Sequence, residues 1–195
     1  MTTAKDQLRR DLLAARRAQP AADHEVEATA LVHILRTLTV PATVCAFVPV
    51  GAEPGAPGAL SMLDALRDAG ARVLLPIALT DAAGTPLPLH WAEYRPGELV
   101  PARYGLLEPN GTRLPPDALA QAGLVLVPAL AVDRRGVRLG RGAGFYDRSL
   151  PMRGPDAQLM AVVRDDELLD ALPGEEHDVP MTHALTPGRG VVRLG

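Results

Sequence analysis

Aromatic residues, cysteines and long apolar runs are all scarce in this chain. Phe, Trp and Tyr make up 3% of its 195 residues, so the core has to be assembled mostly from Leu, Val and Ala. Cys45 is the sole cysteine, which excludes an internal disulfide; it lies in an apolar run and is expected to be a small buried hydrophobe. No apolar run approaches the length that spans a bilayer. The opening MTTAKDQLRRDLLAARRA is charged throughout and lacks the apolar centre of a signal peptide. A cytoplasmic protein without a membrane partner is expected. A net charge of −3 gives no general attraction to nucleic acid either.

What is present is the composition of an ordinary globular chain, 47% hydrophobic and 22% charged. Its length suits a single domain covering residues 1–195. The periodicity predicts a helix over 4–18 with Leu8, Leu12 and Ala15 on one stripe, and a second over 23–38, capped by Asp23, presenting Val26, Ala30, Ile34 and Leu38. A buried strand over 43–48 opens into the loop PVGAEPGAPG, in which Glu53 is the one charged residue. A helix over 59–69 and a strand over 72–77 complete a β-α-β unit, which implies parallel pairing. Further strands are expected near 87–91, 124–128, 159–163 and 191–194, with a turn at Asp133 to Gly136 and a helix from Gly144 to about Arg153. The fold class is α/β, a mixed and largely parallel sheet with helices on both faces. Ligands of such sheets gather outside the carboxyl ends of the strands. Glu53, the 129–136 turn and Asp165 follow three of them.

The stretch RLGRGAGFYDRSL, residues 138–150, carries the chemistry. Gly140, Gly142 and Gly144 alternate with Arg141 and Ala143, so successive amides can converge on an anion where a Cβ would not allow it. Arg141 adds a planar fork of donors, and Asp147 is a carboxylate suited to magnesium beside phosphates. The P-loop pattern is absent, and the dinucleotide fingerprint fails because its third glycine would fall at Phe145. A plain turn before a helix, its arginines solvated, fits the same letters. Residues 133–153 hold six arginines against two aspartates, a net of +4, which suits a small polyanion. Lys5 and Arg9, four apart on one helix, repel each other unless an anion or Asp6 intervenes.

The run LVPALAVDRRGVRLGRGAGFYDRSL (126–150) resembles the signature of the 5-formyltetrahydrofolate cyclo-ligase (5,10-methenyltetrahydrofolate synthetase) family. Lys5, Leu8 and Arg9, the strand ending at Glu53, Tyr104 to Pro109, Leu172-Pro173 with Glu176-His177-Asp178, and Thr186-Pro187 resemble its other elements in the same order. The resemblance implies an enzyme that uses ATP and Mg²⁺ to cyclise 5-formyltetrahydrofolate to 5,10-methenyltetrahydrofolate, releasing ADP and phosphate. A monomer with small-molecule partners and no nucleic acid is expected. By the same resemblance Lys5, Arg9 and the segment Arg138, Leu139, Gly140, Arg141, Gly142, Ala143, Gly144, Phe145 and Tyr146 would hold ATP. Arg141 and Tyr146 would be catalytic, Arg9, Val48 and Glu53 would contact the folate, and Asp147 and Asp178 would bind the metal. The chain departs from the family pattern at Phe145, often tyrosine, at Ala143, lysine in some relatives, and at Ala56, often threonine. These leave room for a paralogue with another formamide-like substrate or without turnover; an arginine-rich nucleic-acid module is the non-enzymatic alternative. His177 is expected to pack against or orient Asp178 rather than bind zinc, Asp133 to form a turn, and Glu108 to satisfy loop amides.

Overall fold

The computed structural model describes residues 3–175 and 178–195, Tyr104 by its backbone alone. Helix α1 (Ala4–Ala18) starts at a capping box in which the Asp6 amide donates to Thr3 Oγ1 and the Thr3 amide to the Asp6 carboxylate. Helix α2 (Ala21–Thr37) begins earlier than predicted, with Pro20 rather than Asp23 at its N-cap and no side-chain cap. Then come β1 (Thr43–Cys45), α3 (Ala59–Asp68), β2 (Arg72–Ile77), β3 (His90–Glu93), the hairpin β4 (Leu99–Pro101) and β5 (Leu107–Pro109), and β6 (Leu124–Pro128). The chain continues through β7 (Ala131–Asp133), β8 (Arg138–Leu139), α4 (Phe145–Ser149), β9 (Gln158–Val162), β10 (Leu168–Leu169), β11 (His183–Thr186) and β12 (Gly190–Arg193).

Seven strands form the main sheet in the order β12-β11-β9-β6-β1-β2-β3. The four inner pairings are parallel, and both edges close with antiparallel partners. Side-chain alternation divides the core. Val44, Val73, Leu124 and Leu126 face Leu31, Leu35, Met62 and Leu66 of α2 and α3. Cys45, Leu74, Val125 and Val127, with Trp91 of β3, face Leu119 and Leu150, so 3-10 helices over Pro116–Gln121 and Leu150–Met152 cover the second face. Burial pushes the Cys45 thiol up to about 12, consistent with an unreactive core residue.

Three local expectations shift. The buried stripe of α2 is Ala28, Leu31, Val32 and Leu35, leaving Val26 70% exposed. The edge strand lies at His90–Glu93, not 87–91, in register with β2. On α1, Leu8 and Leu12 share the packed stripe as predicted and lie against Leu130 and Leu139, but Ala15 is exposed and Arg16 is buried in its place. Arg16 pays for that burial with a bidentate ion pair to Glu167, 2.6 and 2.8 Å, and a 2.7 Å bond to the Ala129 carbonyl.

Candidate active site

A cavity of about 570 Å³ opens at the carboxyl ends of β1, β2 and β6. One wall is apolar, including Phe47, Val48, Leu89, Leu106 and Leu107. The facing wall is the glycine loop after β8, with Gly140 to Asp147 all lining the space. Gly142 and Gly144 have φ of +96° and +85°, the left-handed region that disfavours any side chain; Gly140 does not. The amides of residues 141–144 donate to no acceptor among the described residues. Unsatisfied N–H groups beside a guanidinium are the makings of an anion cradle.

Charged groups meet between these walls. Arg141 Nη2 lies 2.8 Å from Glu53 Oε1, while Glu53 Oε2 accepts the Val50 amide at 3.0 Å. Arg138 pairs with Asp147, and its guanidinium carbon stands 5.8 Å from the centre of the Tyr146 ring. The Tyr146 hydroxyl is buried without a partner among the described residues. Burial pushes its pKa up, so the phenol stays protonated at neutral pH. Glu108 also lines the cavity, accepting the Ala78 amide at 2.9 Å. Two buried arginines brace the walls from behind. Arg16 grips the Ala129 carbonyl, and Arg164, held by both Glu27 oxygens at 3.0 and 2.9 Å, donates to the Ala52 carbonyl at 3.3 Å.

A sequence model of the 5-formyltetrahydrofolate cyclo-ligase family matches residues 1–187. A relative from Mycolicibacterium smegmatis named 5-formyltetrahydrofolate cyclo-ligase is 58% identical over 97% of both chains. The chain belongs to the 5-formyltetrahydrofolate cyclo-ligase family. It is therefore an enzyme, a ligase. The Escherichia coli K12 protein of that name is 35% identical over 66% of this chain and 70% of its own. The 5,10-methenyltetrahydrofolate synthetase structure from Aquifex aeolicus superposes with a TM-score of 0.77 at 23% identity, covering 98% of this chain and 93% of its own. That from Mycoplasma pneumoniae gives 0.69 at 17%, covering 92% and 96%. At those identities the two structures confirm the fold.

In this cyclo-ligase family member the predicted residues mostly converge. Val48, Glu53, Arg138, Gly140, Arg141, Gly142, Ala143, Gly144, Phe145, Tyr146 and Asp147 all line the cavity. Leu139 does not; it is buried against α1 and anchors the loop. Arg9 reaches the loop from α1, its Nε donating to the Gly140 carbonyl at 3.0 Å, and also pairs with Asp6 at 2.8 Å. Lys5 is not among the lining residues and pairs with Glu175 at 2.8 Å. Asp147 and Asp178 share a small recess with Arg138; Asp178 accepts the Glu175 amide at 2.8 Å. Asp165 is not part of the site, because Thr186 Oγ1 and the Gly188 amide hold its two oxygens, 2.7 and 2.8 Å away.

Asp133 is a turn former, as expected, and more. Fully buried, it accepts the amides of Arg135, Val137 and Leu172 at 2.9 Å and pairs with the Arg135 guanidinium. Burial works to raise its pKa, but these donors together hold the carboxyl below the usual range. Glu176, His177 and the side chain of Tyr104 lie outside the described residues. The residues sequence reasoning missed are Arg16, Arg164 and Glu167, together with the place of Glu108 on the cavity wall. A signal existed for the first: Arg16 falls four residues after Leu12, on the apolar stripe.

Proposed function

We propose that this enzyme uses ATP and Mg²⁺ to close 5-formyltetrahydrofolate into 5,10-methenyltetrahydrofolate, releasing ADP and phosphate. The observation that carries the reading is one cavity in which an apolar wall with acceptor carboxylates faces a glycine loop with free amides and Arg141. The 58% identical relative carries the corresponding name. Formamide oxygen is a poor leaving group. Transfer of the γ-phosphoryl group to it, with loss of ADP, gives an iminium phosphate at N5. N10 then attacks that carbon, phosphate leaves as the C–O bond breaks, and N10 gives up its proton. Such catalysis is mostly positioning and charge stabilisation.

The loop from Arg138 to Tyr146 would wrap the triphosphate, with Leu139 holding it from beneath and Arg9 and Lys5 approaching from α1. Arg141, half exposed, would leave Glu53 to stabilise charge on the transferring group. Glu53 would then be free to accept N–H groups of the pterin, a task suited to a bidentate carboxylate, while Val48 packs against the ring. The protonated Tyr146 hydroxyl would donate rather than abstract. Magnesium takes one or two carboxylates and completes its shell with waters and substrate phosphates, and the Asp147 and Asp178 pair in one recess matches that donor set. When bound, the ion would neutralise phosphate charge.

The arginine cluster does not favour a nucleic-acid surface. Arg134, Arg135, Arg138 and Arg141 are each paired with a carboxylate. The proposal includes one catalytic domain acting as a monomer in the cytoplasm. Near-ultraviolet absorbance of the protein with 5-formyltetrahydrofolate, ATP and Mg²⁺ tests it, because the product's extended conjugation absorbs where the substrate does not. A rise that needs both ATP and Mg²⁺ is expected. A flat trace from folded protein would refute the reading.

A further inference from the structure

Three carboxylates line the cavity, and they differ in how much acceptor capacity is left. Glu53 faces Arg141 with one oxygen and the Val50 amide with the other. Asp147 faces Arg138. Glu108, half-buried at the middle of β5, has no cation within ion-pair distance among the described residues and a single hydrogen bond, from the Ala78 amide to Oε1. Its second oxygen has no partner among the described residues. The groups beside it, Leu106, Leu107 and Pro109, are apolar.

That arrangement poses a problem whose solution is chemical. A ligand that fills the cavity against the apolar wall strips water from Glu108, and an unpaired carboxylate losing its water is costly. An occupant with a matching N–H group removes the cost and gains a charge-assisted hydrogen bond. The Ala78 bond fixes one oxygen and so orients the other, which lowers the entropy lost on binding. We propose that Glu108 is a substrate-binding and specificity-determining residue, its free oxygen accepting an N–H of the folate on the wall opposite the glycine loop. This deepens the folate reading above and rests on it. Glu53 and Glu108 then flank the substrate, one released by Arg141 when phosphates arrive, the other available throughout.

The test is steady-state kinetics of wild type and Glu108→Gln with 5-formyltetrahydrofolate and ATP varied separately. Glutamine keeps an acceptor for Ala78, so the hairpin stays docked, and Tm should be unchanged. The expected result is a KM for 5-formyltetrahydrofolate raised about tenfold or more, as for the loss of a hydrogen bond to a charged group, with kcat and the KM for ATP unchanged. An unchanged folate KM overturns the proposal. So does a fall in kcat, or a parallel rise in both KM values, that tracks a lower Tm, since that identifies Glu108 as a fold latch only. Glu108→Ala serves as the latch control, because it removes the Ala78 bond as well. If wild type itself fails to turn over 5-formyltetrahydrofolate, the functional reading has failed, and this proposal with it. An active wild type with an indifferent Gln variant defeats this proposal alone.

Discussion

Replacing Glu167 by alanine should be among the most destabilising single changes available in this protein. Its side chain is 4% exposed and that of its partner Arg16 2%. Glu167 receives both Arg16 bonds and also the Arg164 amide at 2.8 Å. Alanine would strand a buried guanidinium with only the Ala129 carbonyl and leave the Arg164 amide unpaired. Breaking a buried ion pair from one side costs about 3–5 kcal/mol, and an orphaned amide about 1–3 kcal/mol more. Against a typical stability of about 5–15 kcal/mol, that is a large fraction. Removing both charges together, as Arg16→Met with Glu167→Leu, should recover most of the loss, because no unpaired charge remains. Urea unfolding followed through Trp91, the one tryptophan and 1% exposed, reads both variants. A Glu167→Ala cost below about 1 kcal/mol would refute the reasoning. So would a double variant no more stable than Glu167→Ala, since it would mean that apolar packing, not charge, sets the loss.

Arg141→Ala should abolish most turnover while changing stability by about 1 kcal/mol, because Arg141 is half exposed although its partner Glu53 is buried and keeps the Val50 amide; paired activity and melting measurements check this. Gly142→Ala should cost about 1–3 kcal/mol through its positive φ and weaken ATP more than folate, as titration calorimetry with each substrate would show. Asp133, held below the usual carboxylate range, stabilises the fold above its unfolded pKa of about 3.9 and loses that contribution as pH falls through its lower folded value. Asp133→Asn should therefore flatten the acid limb of a stability profile. His183 is pushed down by burial, with Arg193 adding to it, so the fold favours its neutral ring. Stability should fall below about pH 6.5 and less so in His183→Gln, measured by denaturant midpoints at pH 7 and pH 5.5.

Much of the site could be read from the chain because it sits on contiguous residues. The Val48 to Glu53 turn follows a strand with an unmistakable apolar run, and the loop from Gly140 to Asp147 is marked by its own alternating glycines, although the strand before it, Arg138–Leu139, is only two residues long. What escaped depended on partners distant in sequence. An arginine on an amphipathic helix ordinarily marks the wet face, and nothing near Arg16 announces that Glu167, 151 residues away, neutralises it. The phase of α2 was illegible because alanines and aliphatic residues surround much of its circumference, and only docking on α3 selects Ala28, Leu31 and Leu35. Strand β11 is the short HALT, with no apolar run of its own, and exists because β9 and β12 pair with it from either side. Glu108 was legible as a residue that satisfies an amide, but a carboxylate's spare oxygen cannot be seen in a sequence.

The grip of Arg16 also sets an order of events during synthesis. Helix α1, which carries Lys5 and Arg9, is translated before its anchors Ala129, Gly140 and Glu167. With chains elongating at about 5–20 residues per second, the helix waits many seconds for its berth to emerge. Until then its apolar stripe of Leu8, Leu12 and Leu13 has nothing native to cover it. On the nascent chain α1 is therefore open to chaperones and to aggregation until residues 129–167 emerge, and the glycine-loop side of the cavity is complete only then.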